Sequence, residues 1–254
     1  MEFETLSLSI DDDGVALLTL KRPEVLNAMN RALMQDFMDA LAGIEQDARA
    51  RVLVVTGAGS KAFTAGGDIH EMTGSTPEEA EAFQEHVSQC CWSLADFRLP
   101  TIGAINGLAY GGGAMLAASL DMRIGCARSR FRFLGAQYGQ INSTWSLPTI
   151  VGWPRAKELF FSARLVEAEE ASRMGLLNHL VPVERLMDVS LVLARQIAKN
   201  PPAIVQGTKQ LMHRHIGEPY ADTFRVEREA VRTRLRPTPP EESFAEFLGR
   251  KGGK

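Results

Sequence analysis

Apolar residues along the chain fall into short dense runs separated by longer periodic stretches, and the two patterns predict different elements. Gly14 to Leu20 (GVALLTL) lies between Asp11-Asp12-Asp13 and Lys21-Arg22-Pro23, which is how a strand is bounded. Met29, Leu33, Phe37, Met38, Leu41 and Ile44 recur on one helical face and predict an amphipathic helix. Arg51 to Thr56 (RVLVVT) is β-branched and runs into Gly57-Ala58-Gly59, the end of a buried strand. Thr76-Pro77-Glu78-Glu79 carries a capping Thr, a Pro in the first turn and a Glu three residues on, so a helix is predicted from there to about Phe97. Further strands are expected over Asp121 to Ala127 and Phe131 to Phe133, and helices over Pro154–Ser162, Glu167–Met174, Val183–Lys199, Ala203–Arg214, Ala221–Leu235 and Glu241–Leu248. Strands early and helices late describe an α/β core followed by a helical tail.

The stretch around which this pattern is organised is Pro100 to Asp121, PTIGAINGLAYGGGAMLAASLD. A β-type run, Thr101 to Ile105, passes through Gly107 and Gly111-Gly112-Gly113 into a small-residue helical run, Ala114 to Leu120. Glycines ahead of a helix let backbone approach a ligand and leave amide N–H groups without intrahelical partners, which suits an oxygen that carries or develops negative charge. No G-x-G-x-x-G is present here and no Lys-Ser/Thr follows the glycines, so this is not a dinucleotide or nucleotide loop. Its uncharged length would allow a membrane span, but Asn106, Ser119 and the clustered glycines break it into strand, turn and helix. A second glycine loop, Ala62 to Met72, follows the strand ending near Thr56, and ligands of open α/β sheets bind beyond such strand ends.

Composition narrows the picture further. The 254 residues are 45% hydrophobic with a formal net charge of -3, enough for one sizeable core and without the basic balance of a nucleic-acid binder. Cys90, Cys91 and Cys126 match neither a zinc-ligand spacing nor an even disulfide set, and no metal site is expected. Met1-Glu2-Phe3-Glu4 is acidic where a secretory leader would be basic, so a cytoplasmic protein with no membrane anchor is expected.

Four landmarks in order carry a family resemblance: Asn27-Ala28-Met29-Asn30; Ala62-Phe63-Thr64-Ala65-Gly66-Gly67-Asp68-Ile69; Ile105-Asn106-Gly107 through Gly113; and Ala171 to Val181 (ASRMGLLNHLV). Together, over about Val15 to Met212, they resemble the crotonase family, the enoyl-CoA hydratase/isomerase superfamily. The resemblance implies an α/β spiral of ββα repeats over 1–198 and a C-terminal helical trimerisation region over 199–254, assembled as a homo-trimer or a dimer of trimers. It implies an acyl-CoA thioester as ligand, with coenzyme A part of the substrate and no separate cofactor. By position the two N–H donors to the thioester carbonyl fall on Gly67 and Gly112. The loop Ala65, Gly67, Asp68, Ile69 and His70 would lie along the coenzyme, with Leu26 and Ala28 across from it, and Arg22, Arg250 and Lys251 would meet its phosphates.

The same resemblance marks two departures. Hydratases of the family use two glutamates, and their positions are occupied here by Met115 and Gly135. The following loop is about three residues short of the family pattern, with Asn142-Ser143-Thr144-Trp145 in its place. Asn142, Ser143 and Thr144, with Tyr138 and Gln140 as polar neighbours, are therefore candidates near the reacting carbons, or caps for the next turn. Glu71, His70 and Tyr110 are further candidates, and Asp68 is expected to hold its own loop. Trp92, Met115, Tyr138 and Trp145 suggest an apolar acyl pocket or plain core. The expectation is enolate chemistry on an acyl-CoA, nominally enoyl-CoA hydration or isomerisation; hydrolysis, decarboxylation or non-catalytic acyl-CoA binding are the alternatives.

Overall fold

The computed structural model describes residues 2–239. β1 (Leu6–Ile10) pairs antiparallel with β2 (Val15–Leu20), and a 3-10 turn then leads into α1 (Arg31–Gln46). Next come β3 (Val52–Gly57), β4 (Ala62–Thr64), the short α2 (Ile69–Met72) and α3 (Pro77–Ala95). They are followed by β5 (Thr101–Ile105), β6 (Leu108–Tyr110), α4 (Gly112–Ala118), β7 (Met122–Gly125) and β8 (Arg130–Arg132). α5 (Leu147–Val151), α6 (Trp153–Ser162), β9 (Val166–Glu167), α7 (Ala168–Arg173), β10 (His179–Leu180) and α8 (Leu186–Ala198) complete the first of two compact units. The second unit begins at Pro201 and contains α9 (Pro202–Arg214) and α10 (Tyr220–Thr233).

The strands form a six-stranded sheet, β1-β2-β3-β5-β7-β10, and a four-stranded sheet, β4-β6-β8-β9. Every pair in the larger sheet after β1·β2 is parallel, as are β4·β6 and β6·β8. The pairs β3/β4, β5/β6 and β7/β8 each contribute one strand to the large sheet and the next to the small one, and a helix follows each pair. These are the ββα repeats of a spiral. Its effect is to bring the chain segments that follow β3 and β5 side by side.

Parallel strands are covered on both faces and read as continuous apolar runs. β3 and β5 are buried along their whole length. Alternate residues supply opposite faces: Leu53 and Val55 join Phe37, Phe83 and Leu116 on one side, while Val52, Val54, Ile102 and Ala104 meet Leu186 and Ala194 of α8 on the other. Asn106 locks the ends of these strands together. Its carboxamide donates to the carbonyls of Gly57, Gly59 and Ala62 at 2.8, 3.0 and 3.2 Å and accepts from Gly57 N–H.

Buried Arg123 fixes α4 from its C-terminal end. The guanidinium donates to the carbonyls of Ala117 (3.2 Å), Leu120 (2.6 Å) and Leu176 (2.7 Å), placing a cation where the helix dipole is negative. Desolvation pulls its pKa down to about 10, which still leaves it charged at neutral pH.

Several sequence expectations change in detail. β1 is an edge strand whose alternating LSLSI pattern leaves half its residues outside the core, so the apolar-run criterion passes over it. Met29 precedes the helix on whose face it was counted: it forms an isolated parallel bridge with Gly67, and Asn30 caps α1 by accepting from Leu33 N–H at 2.9 Å. The expected helix from Val183 divides into a 3-10 turn, Val183–Arg185, and α8. The Thr76–Glu79 capping box forms as the sequence implies. The expected helix Glu241–Leu248 and the residues Arg250 and Lys251 lie outside the described residues. Among the described residues no helix is long and apolar enough to cross a membrane.

Candidate active site

The two glycine loops meet. On one side, residues 65–68 pair with the turn that enters α1: Ala65 N–H donates to Leu26 C=O (3.0 Å), Met29 N–H to Gly66 C=O (2.8 Å) and Asp68 N–H to Met29 C=O (3.0 Å). Leu26 and Asn27 adopt left-handed φ of 57° and 54° to make that turn. Fully buried Asn27 supports them by donating to the carbonyls of Ala58 (3.0 Å) and Ala62 (3.1 Å). Arg22 clamps both segments, its Nη1 donating to Ala28 C=O at 2.6 Å and to Asp68 Oδ2 at 3.0 Å. Asp68, 6% exposed, also accepts from His70 N–H at 3.1 Å and so caps α2. It holds its own loop, as expected. The Nη1 corner of Arg22 is spent inside the protein.

On the other side, Gly111 N–H donates to Arg132 C=O at 2.9 Å and α4 begins at Gly112. Contact between the loops depends on missing side chains. A Cβ on Gly66, whose φ is +89°, would sit 2.4 Å from Tyr110 C=O and 2.8 Å from Gly112 N, and one on Gly113 would sit 2.2 Å from Thr64 C=O. A Cβ on Gly112 would lie 3.4 Å from Gly67 N. The Gly67 and Gly112 amides are therefore neighbours. In the bridge to Met29 the neighbours of Gly67 make the hydrogen bonds, which turns the Gly67 N–H the other way. Gly112 is the first helical residue, so its N–H is outside the intrahelical ladder. Neither amide donates to an acceptor among the described residues.

α3 forms the wall behind both amides. Phe83 Cε1 lies 2.9 Å from where a Gly67 Cβ would be, Met72 Sδ lies 3.7 Å from it, and Val87 Cγ1 lies 3.0 Å from the corresponding point on Gly112. The Arg31 guanidinium covers the Phe83 ring 5.8 Å from its centre. Reading the sequence for motifs missed Phe83 and Val87, although their i, i+4 spacing on an amphipathic helix marks them as facing one structure.

The third side is the loop after β8. β8 runs parallel to β6, with Tyr110 opposite Arg132, so residues 133–135 follow alongside Gly111; Leu134 Cδ1 is 3.8 Å from a Gly111 Cβ position. Gly135 C=O accepts from Tyr138 N–H (3.0 Å) and Gln140 N–H (2.8 Å), folding the loop back on itself. That fold places the Asn142 carboxamide in front of Gly135, its Oδ1 and Nδ2 3.1 and 3.2 Å from where a Gly135 Cβ would be, with Gln140 C=O at 2.8 Å. Ser143, buried at φ 55°, accepts through its carbonyl from Ser146 and Leu147 N–H, both at 3.2 Å, and so starts α5.

The structure thus gathers Leu26, Ala28, Ala65, Gly67, Asp68 and Gly112 into one place, while Asn142 lies against Gly135 in the 135–146 loop. Met115 is buried on α4 with its N–H on Gly111 C=O at 3.1 Å. Ile69, His70 and Tyr138 face solvent. Glu71 is occupied by Arg31 N–H at 3.0 Å. Of the residues expected in an apolar acyl pocket or plain core, Trp92 and Trp145 are both exposed and so are not core. On the buried side of α3, burial pushes the Cys90 thiol up to about 12 and the Cys91 thiol in the same direction, so both are neutral and inert at pH 7. Among the described residues no cluster of His, Cys, Asp and Glu could hold a metal ion. The arrangement offers two neighbouring N–H groups with no acceptor among the described residues and an apolar wall beside them.

Known proteins share this architecture. The family model described as enoyl-CoA hydratase/isomerase matches residues 11–251. A short-chain-enoyl-CoA hydratase from Clostridium acetobutylicum is 36% identical over 216 residues, covering 83% of this chain and 82% of that protein. A crotonyl-CoA hydratase from Syntrophomonas wolfei is 33% identical over 209 residues, 80% of each. The crystal structure of an enoyl-CoA hydratase from Bacillus anthracis superposes with a TM-score of 0.92 at 28% identity, covering 97% of both chains. The chain belongs to the enoyl-CoA hydratase/isomerase family.

Proposed function

We propose that the chain binds an acyl-CoA thioester with its carbonyl oxygen between Gly67 N–H and Gly112 N–H, and catalyses a reaction that passes through the thioester enolate. The observation that carries this reading is the pair of adjacent amides without a protein acceptor. Negative charge that builds on the thioester oxygen in the transition state meets two aimed donors, and losing one such donor costs about 3–4 kcal/mol of barrier. The segment Ala65 to His70 lies along the coenzyme, with Leu26 and Ala28 opposite. Self-association through the C-terminal helices, as a trimer or pair of trimers, belongs to the same reading and is supported by the exposed Met212, Ile216, Tyr220 and Phe224.

Hydration of a conjugated enoyl-CoA is the first reaction to test, since the relatives carry that name. Water addition needs a base for the water and an acid for the α-carbon, and such groups contribute about 10²–10⁴-fold. Met115 and Gly135 stand where the family pattern has glutamates, and a carboxamide does not take up protons at neutral pH. Asn142 can hold and orient a water or a substrate oxygen. The neutral amide in front of Gly135 favours a second reading, in which the substrate supplies the chemistry: loss of carbon dioxide from a β-carboxylate leaves the electron pair on the α-carbon, delocalised onto the thioester oxygen held by the two amides.

The test is incubation of the purified protein with crotonyl-CoA, longer and aromatic enoyl-CoAs, and malonyl-type acyl-CoAs, followed by conjugated absorbance and product mass. A gain of water assigns hydration, and a loss of carbon dioxide assigns the second reading. In the active pair, Asn142→Ala is expected to lower kcat by about tenfold or more with little change in KM, as for loss of a group acting in the transition state. Calorimetry that detects no binding of any acyl-CoA by the folded protein refutes the proposal.

A further inference from the structure

Trp92 and Trp145 remain outside the machinery described above. Their rings pack edge to face, centroids 5.6 Å apart and planes at 73°, yet they are 57% and 47% exposed. Two large aromatic faces held against each other and left open to solvent are unusual unless something covers them. Their positions say what would. Trp145 is three residues beyond Asn142 on the same loop and is anchored by buried Ser146, Leu147 and Pro148 immediately after it. Trp92 is on α3, five residues beyond Val87, which touches Gly112; that is about 7.5 Å along the helix and about 140° around it, on the flank where Trp145 packs. The direction is fixed by a second contact: Val87 meets Gly112 at the start of α4 and Cys91, one helical turn further on, lies beside Ser119, its C-cap, so α3 follows α4 from its Gly112 end to its far end.

We infer that the Trp92–Trp145 pair is the distal wall of the acyl site and selects acyl-CoAs carrying an aromatic ring or a chain longer than four carbons. This rests on the proposed placement of the thioester carbonyl between Gly67 and Gly112. A chain leaving that point past Asn142 meets the indoles at the end of its run. The three C–C bonds of a four-carbon acyl group span at most about 4.6 Å, at about 1.52 Å each, and stop short of the pair. A ring or a longer chain reaches it and covers surface that is otherwise wet.

The discriminating experiment measures dissociation constants of crotonyl-CoA, octanoyl-CoA and cinnamoyl-CoA for the full-length protein and its Trp92→Ala, Trp145→Ala and Trp145→Phe variants, with circular dichroism and gel filtration on each. Each alanine variant is expected to weaken octanoyl-CoA and cinnamoyl-CoA about tenfold, the scale of one lost aromatic contact, while crotonyl-CoA stays within about twofold and Trp145→Phe falls between. Equal weakening of all three ligands, or of none, overturns the inference while leaving the site reading intact. A change of oligomeric state with ligand affinities unchanged also overturns it and assigns the pair to an interface between copies of the chain. If the alanine variants do not fold, Trp145→Phe decides alone: its three affinities must change unequally, as above, or the inference fails. Absence of binding of all three by the unaltered protein refutes the site reading itself.

Discussion

Gly66→Ala tests whether the two amides act together. Gly66 is neither of the two proposed donors, so a change there acts on the carbonyl site through the spacing of the loops. Its φ of +89° is outside the range an alanine adopts comfortably, and strain of that kind costs of order 1–3 kcal/mol. The larger effect is steric. The new methyl would start 2.4 Å from Tyr110 C=O, where real Cβ contacts essentially never fall below 3.0 Å, so the 65–68 segment must move from the Gly111–Gly113 segment by about 0.6 Å. An oxygen held at about 2.9 Å from both amides would then be about 3.5 Å from one of them, outside hydrogen-bonding distance. The expected result is a loss of kcat of about 10²–10³-fold, as for removal of one donor, with acyl-CoA affinity falling less because the donors act most on charge that develops in the transition state. The assay is steady-state turnover of whichever acyl-CoA the unaltered protein converts, paired with calorimetric binding and a thermal melt. A folded Gly66→Ala protein that retains unaltered kcat would refute the paired-donor argument.

Two further outcomes follow from features away from the amides. Arg123→Met leaves the carbonyls of Ala117, Leu120 and Leu176 without their donor in a buried site, and should cost about 3–5 kcal/mol, read as a drop of about 10 °C in the melting midpoint; an unchanged midpoint would remove Arg123 as the anchor of α4. Arg164 grips Glu170 with two hydrogen bonds of 2.9 and 2.6 Å and holds that carboxyl below its ordinary 4.5. A depressed carboxyl pKa adds stability that is complete above the unfolded value and disappears as pH falls through the folded one. Urea unfolding from about pH 6 to about pH 3 should therefore show a steeper loss in the unaltered protein than in Arg164→Gln, by about 0.5–1 kcal/mol after allowing for partial exposure; parallel profiles would contradict it.

How much of this was legible in the sequence depended on whether a feature is local. Thr76 with Glu79, Gly175 after α7 and the apolar run Thr101 to Ile105 are determined within a few residues, and they appear as read. The glycine loops were legible as a pair because glycine at 66, 67 and 111 to 113 has few other uses beside a helix start. What was not legible is long-range. Met29 carries the right period for α1 and nevertheless leaves the helix face, because its backbone is drawn into the bridge with Gly67, far along the chain. Arg22 reads as a phosphate contact and turns its Nη1 inward because Ala28 C=O and Asp68 Oδ2 converge on it. Phe83 and Val87 carry no motif and become site walls only once α3 is laid across both loops.

The contrast between the 65–68 and 111–113 loops and the 135–146 loop explains why family membership and reaction are separable. The proposed donors are backbone amides, so they survive any sequence that keeps the glycines and the strand ends locked by Asn106. A proton-transfer group must be a side chain, and it depends on how one loop folds. Here the turn closed by Gly135 C=O brings Gln140 C=O to 2.8 Å and the Asn142 carboxamide to about 3.1 Å from the point where a side chain at 135 would begin. The glycine at 135 and the carboxamide at 142 are therefore one structural choice: a larger residue at 135 has no room while Asn142 occupies that volume. Placing a carboxylate at 135 requires the loop to be laid differently as well as a substitution. On the proposed reading, the side-chain chemistry of this member is accordingly to be sought around Asn142, with the two amides supplying only the frame.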